Sequence, residues 1–310
     1  MAKEFKTIDE LVSLLESRGV KTDAKTAPAL RREGYYAIVN GYKGPFLDRE
    51  AMKSSADDVY LPGTTFQQIF GLFIYDRRLR QAVLHHLMMA ETALKNAVVY
   101  SFCERNRSES AYLERSNYVS AQEMLVPRAY AGNKAEEHGR NMARLMRILN
   151  GILSNPRRQR PFVRHYIDAY GEVPLWVLQN NLTFGNIAHF YQLQKRGIQN
   201  GACKAIGAIA ESRKRLNPHD ILRAFDVLVG FRNICAHGER LYDAEVKGCS
   251  FSGMLINLSK VLPQSEMSRL TETIDSLSLA LSEHLSEEVA AFVSEKMGMR
   301  ALESSDGGEQ

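Results

Sequence analysis

The ten residues Phe231-Arg232-Asn233-Ile234-Cys235-Ala236-His237-Gly238-Glu239-Arg240 are unlike the rest of the chain. An apolar-faced segment ends there in a guanidinium, an amide and an imidazole, groups that together can clamp an anion and move a proton. At about 100° per residue of helix, Asn233 and His237 share a face. Arg232 lies about 140° from His237 and reaches it only through its long side chain. The same residues admit a purely structural account. A histidine at a helix C-terminus gains about 0.3 to 1 kcal/mol from the macrodipole, and up to ~2 when partly buried. Arg232 also has Asp226 and Glu239 nearby as ion-pair partners. Arg240 reads as support for the reaction, as a ligand contact or as surface charge.

A second stretch could handle anions. No Asp or Glu falls between Asn141 and Ile167, while Arg144, Arg147, Arg157, Arg158, Arg160, Arg164 and His165 lie in or beside it. It is the most basic part of the chain, and it reads either as a solvated cationic face or as a phosphate-binding surface.

Helices must position these groups. Asn217-Pro218-His219-Asp220 supplies cap, first-turn proline and third-position acid in order, which predicts a helix from there to about His237, stopped by Gly238. Thr65 and Gln68 have capping-box spacing and open an apolar-periodic run to about Cys103. Unbroken, it would be about 58 Å long, and Gly71 is the position where it could break or bend. Thr7 and Glu10 cap a first helix over about Thr7 to Arg18, and a short second one follows Asp23. Gly34 to Tyr42 reads as an ordered connection, and Glu104 to Asn133 as a long, polar, irregular one. Further helices are predicted at about Lys134–Ser154, through Phe162 to Tyr170, from Pro174, from Thr183 to Gln194, and over Ala202–Ala210, Ser265–Leu281 and Ser286–Lys296. Trp176, Phe184 and Phe190 are expected in the core, and Ser304 to Gln310 is expected to be disordered.

Composition agrees with an all-α chain. Twenty-one glycines and nine prolines in 310 residues fall slightly below average, which disfavours sandwiches and barrels built on many tight turns. Net charge is +4, which permits nucleic acid as a partner without requiring it. The charge-free run from Val173 to Gln194 contains too many amides to span a membrane, and Met1 to Glu10 lacks a signal peptide's apolar segment, so a cytoplasmic protein with no membrane partner is expected. Cys103, Cys203, Cys235 and Cys249 show no Cys-x-x-Cys spacing and should be reduced and mostly packed. With no His-Glu-x-x-His, paired-carboxylate or Walker-type pattern, neither a metal nor an organic cofactor is expected.

Several blocks in order resemble the Abi-like family of bacterial abortive-infection proteins, within the HEPN superfamily of helical ribonucleases. They are Phe5-Lys6-Thr7; Gly34-Tyr35-Tyr36 with Gly41-Tyr42 and Pro45-Phe46; Gly63-Thr64-Thr65-Phe66 with Tyr75-Asp76-Arg77-Arg78-Leu79-Arg80; Phe162-Val163-Arg164-His165-Tyr166; Pro174-Leu175-Trp176-Val177 with Thr183-Phe184-Gly185; and Arg232-Asn233 through Cys235-Ala236-His237 to Arg240-Leu241. The resemblance spans about Phe5 to Asp243 and implies a HEPN-like bundle. Residues 63–105 and 212–298 would form its core, 1–62 an N-terminal helical segment, 106–211 a basic helical insertion, and 299–310 a disordered tail.

That resemblance also implies metal-independent RNA cleavage. Arg232 and His237 would be the catalytic pair, Asn233 their support, and Glu91 an acid that orients the arginine. Two protomers would share a composite pocket, and the six insertion arginines with Arg240 would grip RNA. Attack by a ribose 2′-hydroxyl needs a proton acceptor, a donor to the leaving oxygen and cations for the phosphoryl oxygens, and imidazole with guanidinium can supply all three. A toxin-like endoribonuclease of phage defence, restrained by an antitoxin protein, a neutralising noncoding RNA or an autoinhibited dimer, is one reading. A non-catalytic RNA-binding protein holding a cognate small noncoding RNA is the second, and a structural dimer the third.

Overall fold

The computed structural model describes residues 4–55, 57–128 and 130–299. Those residues form an all-α structure with isolated bridges and no sheet. Its axis is α3 (Phe66–Arg105), one uninterrupted helix of 40 residues and about 60 Å. Thr65 begins it as read from sequence: its hydroxyl accepts from Gln68 N at 3.2 Å and its own N–H donates to Gln68 Oε1 at 2.9 Å. Gly71 does not break this helix, because a helix this heavily packed tolerates one glycine. Phe66, Ile69, Leu79, Val83, Leu87, Leu94 and Val98 are fully buried along it.

The N-terminal region contributes α1 (Ile8–Ser17) and α2 (Thr26–Glu33), with the Thr7–Glu10 box intact. The segment after Gly34, expected as a connection, is a five-residue π-helix, Tyr36–Asn40, anchored by fully buried Ile38 and Val39. Glu33 fastens this region to α3: both terminal nitrogens of Arg77 donate to its carboxylate, and Arg32 Nε donates at 2.8 Å. These donors hold the Glu33 carboxyl down at about 2. Its stabilisation is therefore complete above the ordinary range of a free glutamate, near pH 4.5, and disappears as pH falls towards 2. Glu33→Gln should be less stable than the native chain at pH 7 and lose less stability between pH 4.5 and 2, as measured by urea unfolding across that range.

The middle of the chain supplies α4 (Lys134–Leu153), α5 (Pro161–Tyr170), α6 (Leu175–Leu178), α7 (Phe184–Gln192) and α8 (Arg196–Ile209). The last of these starts well before the expected Ala202. The connection after α3 was expected to be polar and irregular, yet it carries buried Tyr112, Tyr118, Met124 and Leu125 among its short turns. Its polarity is real, but every few residues an apolar side chain enters the core. Phe184 and Phe190 are buried as expected, whereas Trp176 is 42% exposed, because α6 is a single turn whose buried face is taken by Leu175 and Leu178.

The C-terminal part is α9 (Pro218–His237), α10 (Phe251–Leu258), α11 (Gln264–Ser282) and α12 (Glu287–Met297). Sequence periodicity did not reveal α10, which has only eight residues and an apolar composition that shows no face. Helices α8, α11 and α9 pack along α3 and enclose it, and one connected core runs from Leu15 to Met297. Among the described residues no helix is long and apolar enough to cross a membrane. The expectation of disorder for Ser304–Gln310 lies outside the described residues, and the four cysteines are free, two buried and two half-buried.

Candidate functional site

Local sequence builds the element that carries the motif. Asn217 caps α9 by accepting from His219 N and Asp220 N, Asp220 accepts in return from Asn217 N, and Pro218 occupies the first turn. At the other end Gly238 takes the left-handed conformation, φ 72°, that a side chain would strain. Between them Ile221, Leu222, Phe225, Leu228 and Phe231 are buried, which leaves Arg232, Asn233, Ala236 and His237 on the outer side. Cys235 faces inward, and burial pushes its thiol up to about 12, so the cysteine inside the motif serves packing.

Arg232 pairs neither with Asp226 nor with Glu239. Its Nε donates to Glu91 Oε2 at 3.1 Å, across from α3, and its Nη1 donates to Asn233 Oδ1 at 3.2 Å. The second oxygen of Glu91 lies 3.6 Å from Lys95 Nζ, one turn further along α3, and Lys95 also donates to Leu182 O at 2.8 Å. Burial lowers the Lys95 pKa, Glu91 partly restores it, and the charges of Arg160 and Arg232 lower it further. One carboxylate thus holds two cations in place, while the Arg232 side chain keeps 32% of its surface exposed. These residues line a cleft of about 350 Å³, together with Asn96, Gln179 and Asn180. Met88, 57% exposed, forms part of its apolar rim.

His237 stands apart. Its side chain is exposed, and no hydrogen bond joins its ring to Arg232 or to another described residue. The motif arginine and histidine are five residues apart on α9, about 140° around the helix, and no hydrogen bond joins their side chains.

The loop that leaves the motif is clamped by a buried charge. Asp76 on α3, with no exposed surface, accepts from Tyr42 Oη at 2.7 Å, Leu241 N at 3.1 Å, Tyr242 N at 2.8 Å and Arg80 Nη1. Arg80 also donates to Glu239 O at 3.1 Å. Burial raises the Asp76 carboxyl above its ordinary range, against the pull of these donors. Arg240 belongs to the same clamp: Nε donates to Asp243 Oδ1 at 2.6 Å, Nη1 to Gly41 O, and the guanidinium lies over the Tyr242 ring. Its donors are largely used in holding the loop.

The six insertion arginines are all exposed, and none forms an ion pair with a described residue. Arg144 and Arg147 project from α4, Arg157 and Arg158 from a short turn, and Arg160 and Arg164 from the start and middle of α5. The turn is fastened beside the cleft. Arg160 N donates to Asn181 Oδ1 at 2.9 Å, and Asn181 Nδ2 donates to Arg158 O at 3.0 Å, while Gln179 and Asn180 next in sequence line the cleft. Asn96, Gln179 and Asn180 had not been singled out from sequence. The only signal was three successive amides, Gln179-Asn180-Asn181, in a stretch without charges.

A family model described as Abi-like protein matches residues 28–243. No curated protein and no solved structure matches the chain.

Proposed function

The chain belongs to the Abi-like protein family, and from that premise we propose that it acts in abortive infection as a metal-independent endoribonuclease of the HEPN type. The observation that carries this reading is the cleft, in which Glu91 sets Arg232 beside Lys95 and the arginine-rich turn of the insertion is fastened at its edge. Two cations in a half-buried cleft suit a phosphate whose oxygens gather charge as the chain breaks. An exposed imidazole at the end of the same helix suits transfer of a proton from a ribose 2′-hydroxyl or to the leaving 5′-oxygen.

Arg232 and His237 lie about 140° apart around α9 with no hydrogen bond between their side chains, and a second copy of the chain would complete the site, as the composite pocket of the family implies. An isologous dimer that packs the exposed ends of α9 and the Met88 side of α3 around one axis gathers two arginines and two histidines in a single pocket. In this reaction the 2′-oxygen attacks phosphorus, the 5′-oxygen leaves, and the imidazole moves the proton between them. The products carry a 2′,3′-cyclic phosphate and a 5′-hydroxyl. The test is incubation of labelled total cellular RNA with the protein in EDTA. Fragments with those ends support the reading, and intact RNA at micromolar protein overturns it.

The second reading, an RNA-binding protein that holds a cognate small noncoding RNA, is favoured by the six exposed arginines. On either reading their number sets the salt dependence. Each phosphate contact contributes about 0.7 to the slope of log K against log salt for single strands. Arg157→Ala with Arg158→Ala should therefore lower that slope by roughly 1.4, read by fluorescence anisotropy from 50 to 300 mM salt, while unfolding stays unchanged because neither side chain is in an ion pair.

A further inference from the structure

The arginine-rich turn leads into α5, and the far end of that helix carries aromatic side chains that neither the core nor the cleft explains. Tyr170, its last residue, is 67% exposed. A tyrosine exposed by itself would need no account, but this one belongs to a group. Its ring centroid lies 5.4 Å from that of Tyr166 and 6.4 Å from that of His165, and His165 lies 6.1 Å from Tyr166. His165 is exposed as well, whereas Tyr166 is half-buried and packs against the core. Tyr166 thus roots the group, and the other two rings hold each other in place in the open. The histidine stands at 88° and 89° to the two tyrosines, and these are tilted by 48°, so no ring of the three lies flat upon another.

Charge is divided along the same helix. From Pro156 to Tyr170 the sequence holds four arginines and one acid, Asp168. The arginines gather before and at the start of α5, while Asp168 and Glu172 flank its tyrosine end, where a phosphate is repelled and an uncharged ring is not. With ten residues α5 is about 15 Å long, so phosphate contacts at its start and ring contacts at its end fit one strand lying along it. Its start is tied to the cleft: Arg160 N donates to Asn181 Oδ1 at 2.9 Å, and the charge of Arg160 acts on Lys95. The turn itself is braced by Arg164, whose Nη2 donates to Pro156 O at 2.8 Å. Exposed arginines without an ion pair to a described residue favour a polyanion over an apolar protein surface.

We propose that α5 is a platform for unpaired RNA, on which Tyr170 and His165 stack bases while the arginines at its start hold phosphates of the same strand next to the cleft. This rests on the RNA reading of the cleft and names the form of RNA that reaches it, a single strand. Every base has a π-face, so stacking on aromatic rings tolerates any sequence. In a duplex the bases are already stacked on their neighbours and closed to a side chain, so a duplex can use the arginines alone. Tyr170 and His165 touch bases away from the bond that breaks. They contribute to binding and leave the chemical step to Arg232 and His237.

The probe is a labelled 12-residue oligo(U), compared with a strand of the same length and backbone that carries no bases. Both are bound in EDTA to the His237→Ala protein, in which cleavage does not interfere. Oligo(U) should bind at least about fivefold more tightly than the abasic strand, the lower end for one stacked base. Adding Tyr170→Ala should bring the two within about twofold by weakening oligo(U) alone, and should leave the slope of log K against log salt unchanged because no charge is removed. Tyr170→Phe keeps a ring and should keep the difference. His165→Ala, at an exposed position, should shrink it as well, so a folding defect in one variant cannot mask the result. Binding of an RNA duplex of the same length should not respond to Tyr170→Ala. Equal binding of the two strands by the parent protein, a difference that survives both truncations, or an equal loss of duplex binding overturns the platform and leaves the rings to a protein neighbour. Salt-dependent binding of both strands without an effect of the bases keeps the RNA reading and loses this one, whereas no binding of any strand at low salt loses both.

Discussion

Arg232→Ala is expected to lower single-turnover cleavage of RNA in EDTA by about 10² to 10³, the range for removing one preorganised cationic donor, and His237→Ala by about 10² to 10⁴, the range for removing a general acid or base. Both proteins should remain folded, for reasons visible in the structure. His237 is exposed and makes no hydrogen bond to a described residue, and truncating Arg232 leaves Glu91 with Lys95 still 3.6 Å away. Matched thermal melts and sedimentation of the variants separate a catalytic loss from a failure to fold or to dimerise. In a composite site, mixing the two inactive variants would restore a fraction of activity only if one pocket drew its arginine and histidine from different chains. Full cleavage by either variant alone would sink the assignment of that residue.

Asp76→Ala should be the most damaging single substitution outside the cleft, with a loss of about 3 to 5 kcal/mol in urea unfolding, as when a buried ion pair loses one partner. It removes the counter-charge of the buried Arg80 guanidinium and the acceptor of the Tyr42 hydroxyl and of the amides of Leu241 and Tyr242 at once. Asp76→Asn keeps an acceptor but not the charge, and should lie between the two. Because the same carboxylate anchors the loop that follows Gly238, activity measured well below the unfolding transition should fall as well. A variant as stable as the parent would show that the clamp carries no net stabilisation.

The parts of this fold that were legible in the sequence are the local ones. Three helix starts, at Thr7, Thr65 and Asn217, are written within four residues each, and all three caps form. Asp76 shows the opposite case: in the string Tyr75-Asp76-Arg77-Arg78-Leu79-Arg80 it looks like surface charge, and only the arrival of Tyr42 and Leu241 from distant parts of the chain makes it the centre of a buried network. Arg232 had two acidic neighbours in sequence and chose neither, because Glu91 on α3 lies where the guanidinium emerges. Glu91 itself came into view through resemblance and not through spacing. Gln179 gave no sign beyond the run of three amides it opens, since the burial of an amide is decided by the elements that close over it.

Helix α3 is made early in synthesis, but the helices that enclose it come from far later in the chain, and the bond between Glu91 and Arg232 closes a separation of 141 residues. At roughly 5 to 20 residues per second, a ribosome takes about 7 to 28 s to travel from one to the other. For that interval the nascent chain displays an apolar rod without its cover and a cleft without its arginine. The growing polypeptide therefore needs shelter from aggregation, and the cleft that pairs Arg232 with Glu91 is assembled only after most of the protein has been made.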